Sequence, residues 1–112
     1  NRSHRIPSAD KPLYHALCVL GGNFTTLLWS KVFAEMEGRL GIPPAAVRPY
    51  LEAITANLLA PLGAPLTGPL ARGDQATIDR NLSALAGDPY HEVYEAFVHA
   101  FRRENIQKEH FT

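Results

Sequence analysis

One stretch near the N-terminus carries residue types that could do chemistry. In Tyr14-His15-Ala16 through Asn23, a histidine able to exchange a proton near neutral pH precedes an amide able to orient a ligand. At about 100° per helical residue, Gly22 and Thr26 each fall within ~20° of His15, with Cys18 and Asn23 on the flanks. Small and polar residues thus form a stripe on an otherwise apolar segment. A glycine inside a helix costs about 1 kcal/mol relative to alanine, so close approach of another backbone or of a ligand should offset Gly21-Gly22. Two arrangements meet that requirement. Either His15 and Asn23 face a substrate pocket with the glycines leaving room, or helices pack tightly there and nearby carbonyls satisfy both side chains.

A second group lies in Leu66-Thr67-Gly68-Pro69-Leu70-Ala71-Arg72-Gly73-Asp74. Arg72 beside a helix N-terminus could hold a carboxylate or phosphate, because its guanidinium fork and the free backbone N–H groups both favour anions. The alternative is a turn in which Asp74 caps the next helix and Arg72 is solvated. His91, Glu95 and His99 stand at metal-ligand spacing, but they lie about 120–160° from Phe97, opposite the apolar stripe of their helix. A solvated face is expected there, and no metal. Asn23-Phe24-Thr25 and Asn81-Leu82-Ser83 match the glycosylation sequon inside expected helices, and Arg72-Gly73-Asp74 alone does not establish cell adhesion. The sequence has no Gly-x-Gly-x-x-Gly, Walker loop, paired cysteines or Gly-x-Ser-x-Gly elbow, so no cofactor-binding residue is expected in this chain.

The elements that must position these groups are helical. Apolar residues recur with helical rather than alternating spacing, and no strand or repeat is evident. Asp10 is expected to cap a first helix running to Leu40, with Pro12 in its first turn and Gly41 as its stop. That rod is apolar nearly all round: Leu13, Leu17, Leu20, Phe24 and Leu27 on one side, Val19, Trp29, Phe33, Met36 and Leu40 on another. A second helix enters at Pro43-Pro44 and kinks or restarts at Pro49, burying Leu51, Ile54 and Leu58. Residues 61–73, with three prolines and three glycines, read as a loop. Asp74 starts a third helix with Ile78, Leu82 and Leu85 inward. Asp88-Pro89 starts a fourth with Tyr90, Val93, Tyr94, Phe97 and Phe101 inward, fraying after Arg102. The expected fold is an all-α helical bundle with one long central helix and about three shorter ones.

The bulk composition bounds the function. The 112 residues suit one domain, and 46% apolar with 20% charged residues is a globular balance. Eleven basic residues offset eleven acidic ones, which argues against a nucleic-acid partner. Cys18 is the only cysteine, so no internal disulfide forms and a reducing, cytoplasmic setting is expected. The start Asn1-Arg2-Ser3-His4 has no initiator Met or leader and reads as a fragment, residues 1–10 being a linker from an absent N-terminal domain and 11–112 one helical domain. The stretch Leu13 to Leu40 contains Lys31, Glu35, Glu37 and Arg39, charges that speak against a membrane span and for a soluble protein. Three short helices cannot cover so apolar a rod, so a homodimer through the first helix is expected. Exposing ~600 Å² of it would forfeit about 15 kcal/mol of burial at ~25 cal/mol per Å².

From Lys11-Pro12-Leu13-Tyr14-His15-Ala16 through Asn23, and again from Leu66-Thr67-Gly68-Pro69 through Arg72-Gly73-Asp74 and Thr77, the chain resembles a known family. These are proteins in which a Rossmann-like domain precedes a domain of unknown function 2520. The likeness runs from about Lys11 to Phe101. Gly22 stands where many relatives have serine and Asn81 where many have histidine. The family is similar in architecture to ketopantoate reductase, pyrroline-5-carboxylate reductase and the 6-phosphogluconate dehydrogenase group, which bind NADP on an N-terminal Rossmann domain and close the site with a dimerising helical domain. The resemblance implies the substrate-side and dimerisation domain of an NAD(P)-dependent oxidoreductase, inactive alone, with the cofactor on the absent domain. It implies that Tyr14, His15 and Asn23 face the cleft, His15 as proton donor or substrate partner and Asn23 as orienter. Lys11, Thr67, Arg72, Asp74 and Thr77 would complete a small-molecule substrate site. The rival is a non-enzymatic helical module for dimerisation or ligand sensing, in which the first helix is only an interface.

Overall fold

The computed structural model describes residues 5–61 and 66–111. Among them the fold is all-α, with one long helix and four shorter ones: α1 (Ser8–Leu40), α2 (Pro44–Leu59), α3 (Pro69–Arg72), α4 (Gln75–Ala84) and α5 (Tyr90–Phe111). The helices group into two compact units, Asn1–Gly63 and Ala64–Thr112, divided within the proline-rich stretch read as a loop. Residues 62–65 of that stretch, and 1–4 of the expected linker, lie outside the described residues.

In the first unit, α1 begins earlier than expected. Its first turn is a 3-10 turn, Ser8–Asp10, entered from Pro7. Asp10 therefore sits inside the rod in helical conformation, and its side chain makes no cap hydrogen bond. The rod ends as expected at Gly41, whose φ of 68° is left-handed and whose neighbour Ile42 donates its N–H to the Met36 carbonyl at 2.8 Å. α2 follows from Pro44 at its first position and runs through Pro49 without restarting. Pro49 has no N–H to donate, and α2, which contacts α1, continues across it.

The contact between these helices uses the C-terminal half of α1. Leu28, Trp29, Val32, Phe33 and Met36 are half-buried, and Val47 of α2 is buried. The Trp29 ring lies 5.9 Å from Phe33 and 6.1 Å from Tyr50, both tilted as aromatic quadrupoles prefer. Leu51 and Ile54 are half-buried as expected, but Leu58 is 75% exposed, since the last turn of α2 has no covering element in its unit. The N-terminal half of α1 is likewise bare: Leu13, Leu17, Leu20, Phe24 and Leu27 are each 44–61% exposed.

By length and composition α1 is long and apolar enough to cross a membrane, with a mean hydropathy of 1.2 over its best 18 residues. The four charges cited against a span all lie at or beyond Lys31, so they leave residues 12–30 untouched. A mostly buried core helix of a soluble protein passes the same test, whereas 0% of this window is buried.

In the second unit, Gly73 at φ 68° closes α3, and the Asp74 N–H returns to the Pro69 carbonyl at 2.8 Å. Asp88 accepts from the Tyr90 N–H at 2.8 Å and starts α5, as Asp88-Pro89 implied. Ile78 of α4 is 1% exposed, and Leu82 and Leu85 are half-buried beside it. Facing them, α5 buries Val98, whereas Phe97 is 56% exposed. The inward line of α5 is Tyr90, Tyr94, Val98 and Phe101; Phe97 stands one residue, about 100°, off that line. Asn81 donates from Nδ2 to the Tyr94 hydroxyl at 3.0 Å, and Arg102 donates to the Gln75 side chain, tying α4 to α5 at both ends. The α5 backbone continues past Arg102 to Phe111 rather than fraying there. With so few buried side chains, Ile78→Ala should cost about 2–5 kcal/mol. Urea unfolding reads this as a lower midpoint at unchanged slope.

Candidate functional site

The glycine pair of α1 does not continue the α-helix. Residues Val19–Asn23 form a π turn, in which the Phe24 N–H reaches back to the Val19 carbonyl. Regular α-helix precedes it over Lys11–Cys18 and follows it over Phe24–Leu40. The Thr26 hydroxyl donates to the Gly22 carbonyl at 3.1 Å, an additional bond at the end of the turn. A turn of this kind absorbs one extra residue, so positions eight apart across it come into line instead of seven.

That corrects the expected stripe. Gly22 and Thr26 rotate off the His15 line by about 100°, and Asn23 moves from the flank to within ~20° of His15. His15 and Asn23 are both exposed, with half-buried Val19 between them. Built side-chain atoms at Gly21 and Gly22 would meet nothing within 4 Å among the described residues of the first unit. Lys11 lies one turn before His15 and is exposed; Tyr14 is 54% exposed. Cys18, one turn after Tyr14, is also exposed.

In the second unit the matching motif forms a compact knot. Asp74 accepts from the Thr77 N–H at 3.1 Å through Oδ1 and from the Thr77 hydroxyl at 2.8 Å through Oδ2, capping α4. Arg72 Nη2 stands 3.5 Å from Asp74 Oδ2. Thr77 in turn accepts from Arg80 Nη2 at 3.0 Å. Arg72, Asp74 and Thr77 are thus brought together, with Thr67 outside the knot before Gly68. Arg80 was not foreseen, although its position three residues after Thr77 on a helix was the available signal. The cap reading of Asp74 holds. Both of its oxygens are engaged, so the exposed Arg72 fork is the part of the knot open to an anion. His91 lies 3.4 Å from Glu95, and among the described residues no group of three or more His, Cys, Asp or Glu side chains could hold a metal ion.

The Thr77 hydroxyl and then its N–H, with Arg72 behind them, hold the Asp74 carboxyl below its usual value of 3.8. A carboxylate whose pKa is depressed on folding contributes stability above its unfolded pKa and loses it as pH falls through the folded value. Asp74→Asn should therefore melt below the wild-type chain at pH 7, and the gap should close below about pH 4. Circular dichroism melts across that range decide it; a gap equally wide at pH 3 would show that the charge plays no part.

No curated protein and no solved structure matches the chain. A family model does match, the domain of unknown function (DUF2520), over residues 1–101. With that match covering nearly its whole length, the chain belongs to the DUF2520 family.

Proposed function

We propose that this chain is the substrate-side and dimerisation domain of a two-domain NAD(P)-dependent oxidoreductase. The observation that carries the reading is the exposed pair His15 and Asn23, in line on the N-terminal half of a helix that also leaves Leu13, Leu17, Leu20, Phe24 and Leu27 exposed. A proton-exchanging imidazole and an orienting amide on one bare face suit a cleft that another domain closes. Among the described residues there is no strand, hence no strand–turn–helix cradle for a pyrophosphate. These residues do not fit a dinucleotide, and in this reading NAD(P) belongs to a Rossmann domain of the full-length protein.

Within that division of labour, His15 holds or delivers a proton at a substrate oxygen through an imidazole nitrogen, and Asn23 orients the substrate. Tyr14 lines the same approach and Lys11 supplies a cation one turn away. Thr67, Asp74 and Thr77 shape the second motif, whose open group is the Arg72 guanidinium. A second copy of the chain covers the remaining apolar surface of α1. The rival module, with no enzymatic role, draws support from Asp74 and Thr77 already satisfying each other as a helix cap.

Calorimetric titration with NADH and NADPH separates the two. The 112-residue chain should bind neither. The full-length protein should bind one of them in the micromolar range. Binding by the chain alone would overturn the division of labour, and no binding by the full-length protein would leave the non-enzymatic module.

A further inference from the structure

The π turn of α1 does something that neither its glycines nor its polar residues do separately. On an uninterrupted α-helix, His15 and Asn23, eight residues apart, would point about 80° away from each other. The single i→i+5 turn over Val19–Asn23 removes that offset. We propose that the π turn over Val19–Asn23 is a positioning device: it sets His15 and Asn23 on one face, roughly 11 Å apart along the axis, as the two ends of one substrate seat. The inference rests on the oxidoreductase reading for its function, and on the helix alone for its geometry.

Three observations converge on it. The Phe24 N–H bonds the Val19 carbonyl, five residues back, so the register shift is a backbone fact. The Thr26 hydroxyl adds a bond to the Gly22 carbonyl at the end of the same turn. Among the described residues of their own unit nothing lies within 4 Å of a side-chain atom built at either glycine, so no neighbour there fills this face. Val19, half-buried midway between His15 and Asn23, forms an apolar floor. A seat with polar ends and an apolar middle fits a small molecule that carries a proton-accepting oxygen at one end and an amide-complementary group at the other.

Insertions and deletions test the register directly, because the π turn makes them unequal. Deleting Gly21 removes the extra residue. His15 and Asn23 become seven apart on a plain α-helix, still within ~20° of each other, and the Phe24–Val19 bond survives as an ordinary i→i+4 bond. Inserting an alanine between Gly21 and Gly22 instead rotates everything after it by about 100°. Through-hydrogen-bond NMR couplings in the 112-residue chain give the geometric answer. Phe24 N should couple to the Val19 carbonyl carbon in the wild-type chain and in the deletion, and to a different carbonyl in the insertion.

Steady-state kinetics of the full-length protein give the functional answer. The insertion should lower kcat on the order of 100-fold at unchanged cofactor KM, and the deletion should stay within about tenfold of wild type. Light scattering and circular dichroism on both variants check that they remain folded and equally associated. Coupling from Phe24 to Leu20 in the wild-type chain would overturn the inference whatever the activity does. So would equal losses in deletion and insertion, the result expected if the helix were only structural. A full-length protein without cofactor-dependent turnover would instead defeat the oxidoreductase reading, and the couplings alone would then decide the register.

Discussion

His15→Ala in the full-length protein should lower turnover by about 10²–10⁴-fold, the range that a positioned general acid or base contributes. Asn23→Ala should cost less, since an orienting amide supplies geometry and not the proton. Both residues are exposed, so neither substitution opens a cavity, and the melting temperature and oligomer should stay as they are. That separation makes the result informative. A loss of kcat with intact folding assigns chemistry to the α1 face, whereas full activity in both variants would return His15 and Asn23 to a packing role.

A homodimer is the second large expectation, and the structure says which face to test. Leu13 and Leu17 stand about 160° from His15 on the regular α-helical turns of α1, and they are 61% and 56% exposed. Covering them with a second copy leaves the His15 face open to a nucleotide-binding domain. Leu17→Asp would place an unpaired carboxylate in that interface, a penalty of about 3 kcal/mol or more, hence over 100-fold in the dimer dissociation constant. Light scattering should find the wild-type chain dimeric and Leu17→Asp largely monomeric, with the helix content of both alike. A wild-type chain that stays monomeric at high concentration would mean that another domain covers α1. Association only in the presence of lipid vesicles would mean that the apolar stretch 12–30 meets a membrane.

What the sequence determined by itself was whatever depends on neighbours a few residues away. The all-α class follows from helical apolar spacing, and the stop at Gly41 and the starts at Asp74 and Asp88 follow from caps that bond within one turn, whereas the short helix Pro69–Arg72 lies inside the stretch read as a loop. The His15–Asn23 pair was legible as residue types, and Asp74 as a cap, because side-chain chemistry and cap geometry are local. Other features needed the folded chain. Spacing does not say whether Val19–Asn23 forms an α or a π turn, so the phase linking His15 to Asn23 could not be read from it alone. Burial was equally out of reach where it turns on which element lies opposite. Val98 is covered because α4 presents Ile78 to the second unit's core, while the larger Phe97, one residue away, faces solvent. Leu58 fits the apolar stripe of α2 yet has nothing across from it. Periodicity names a face; only the packed neighbour makes that face a core.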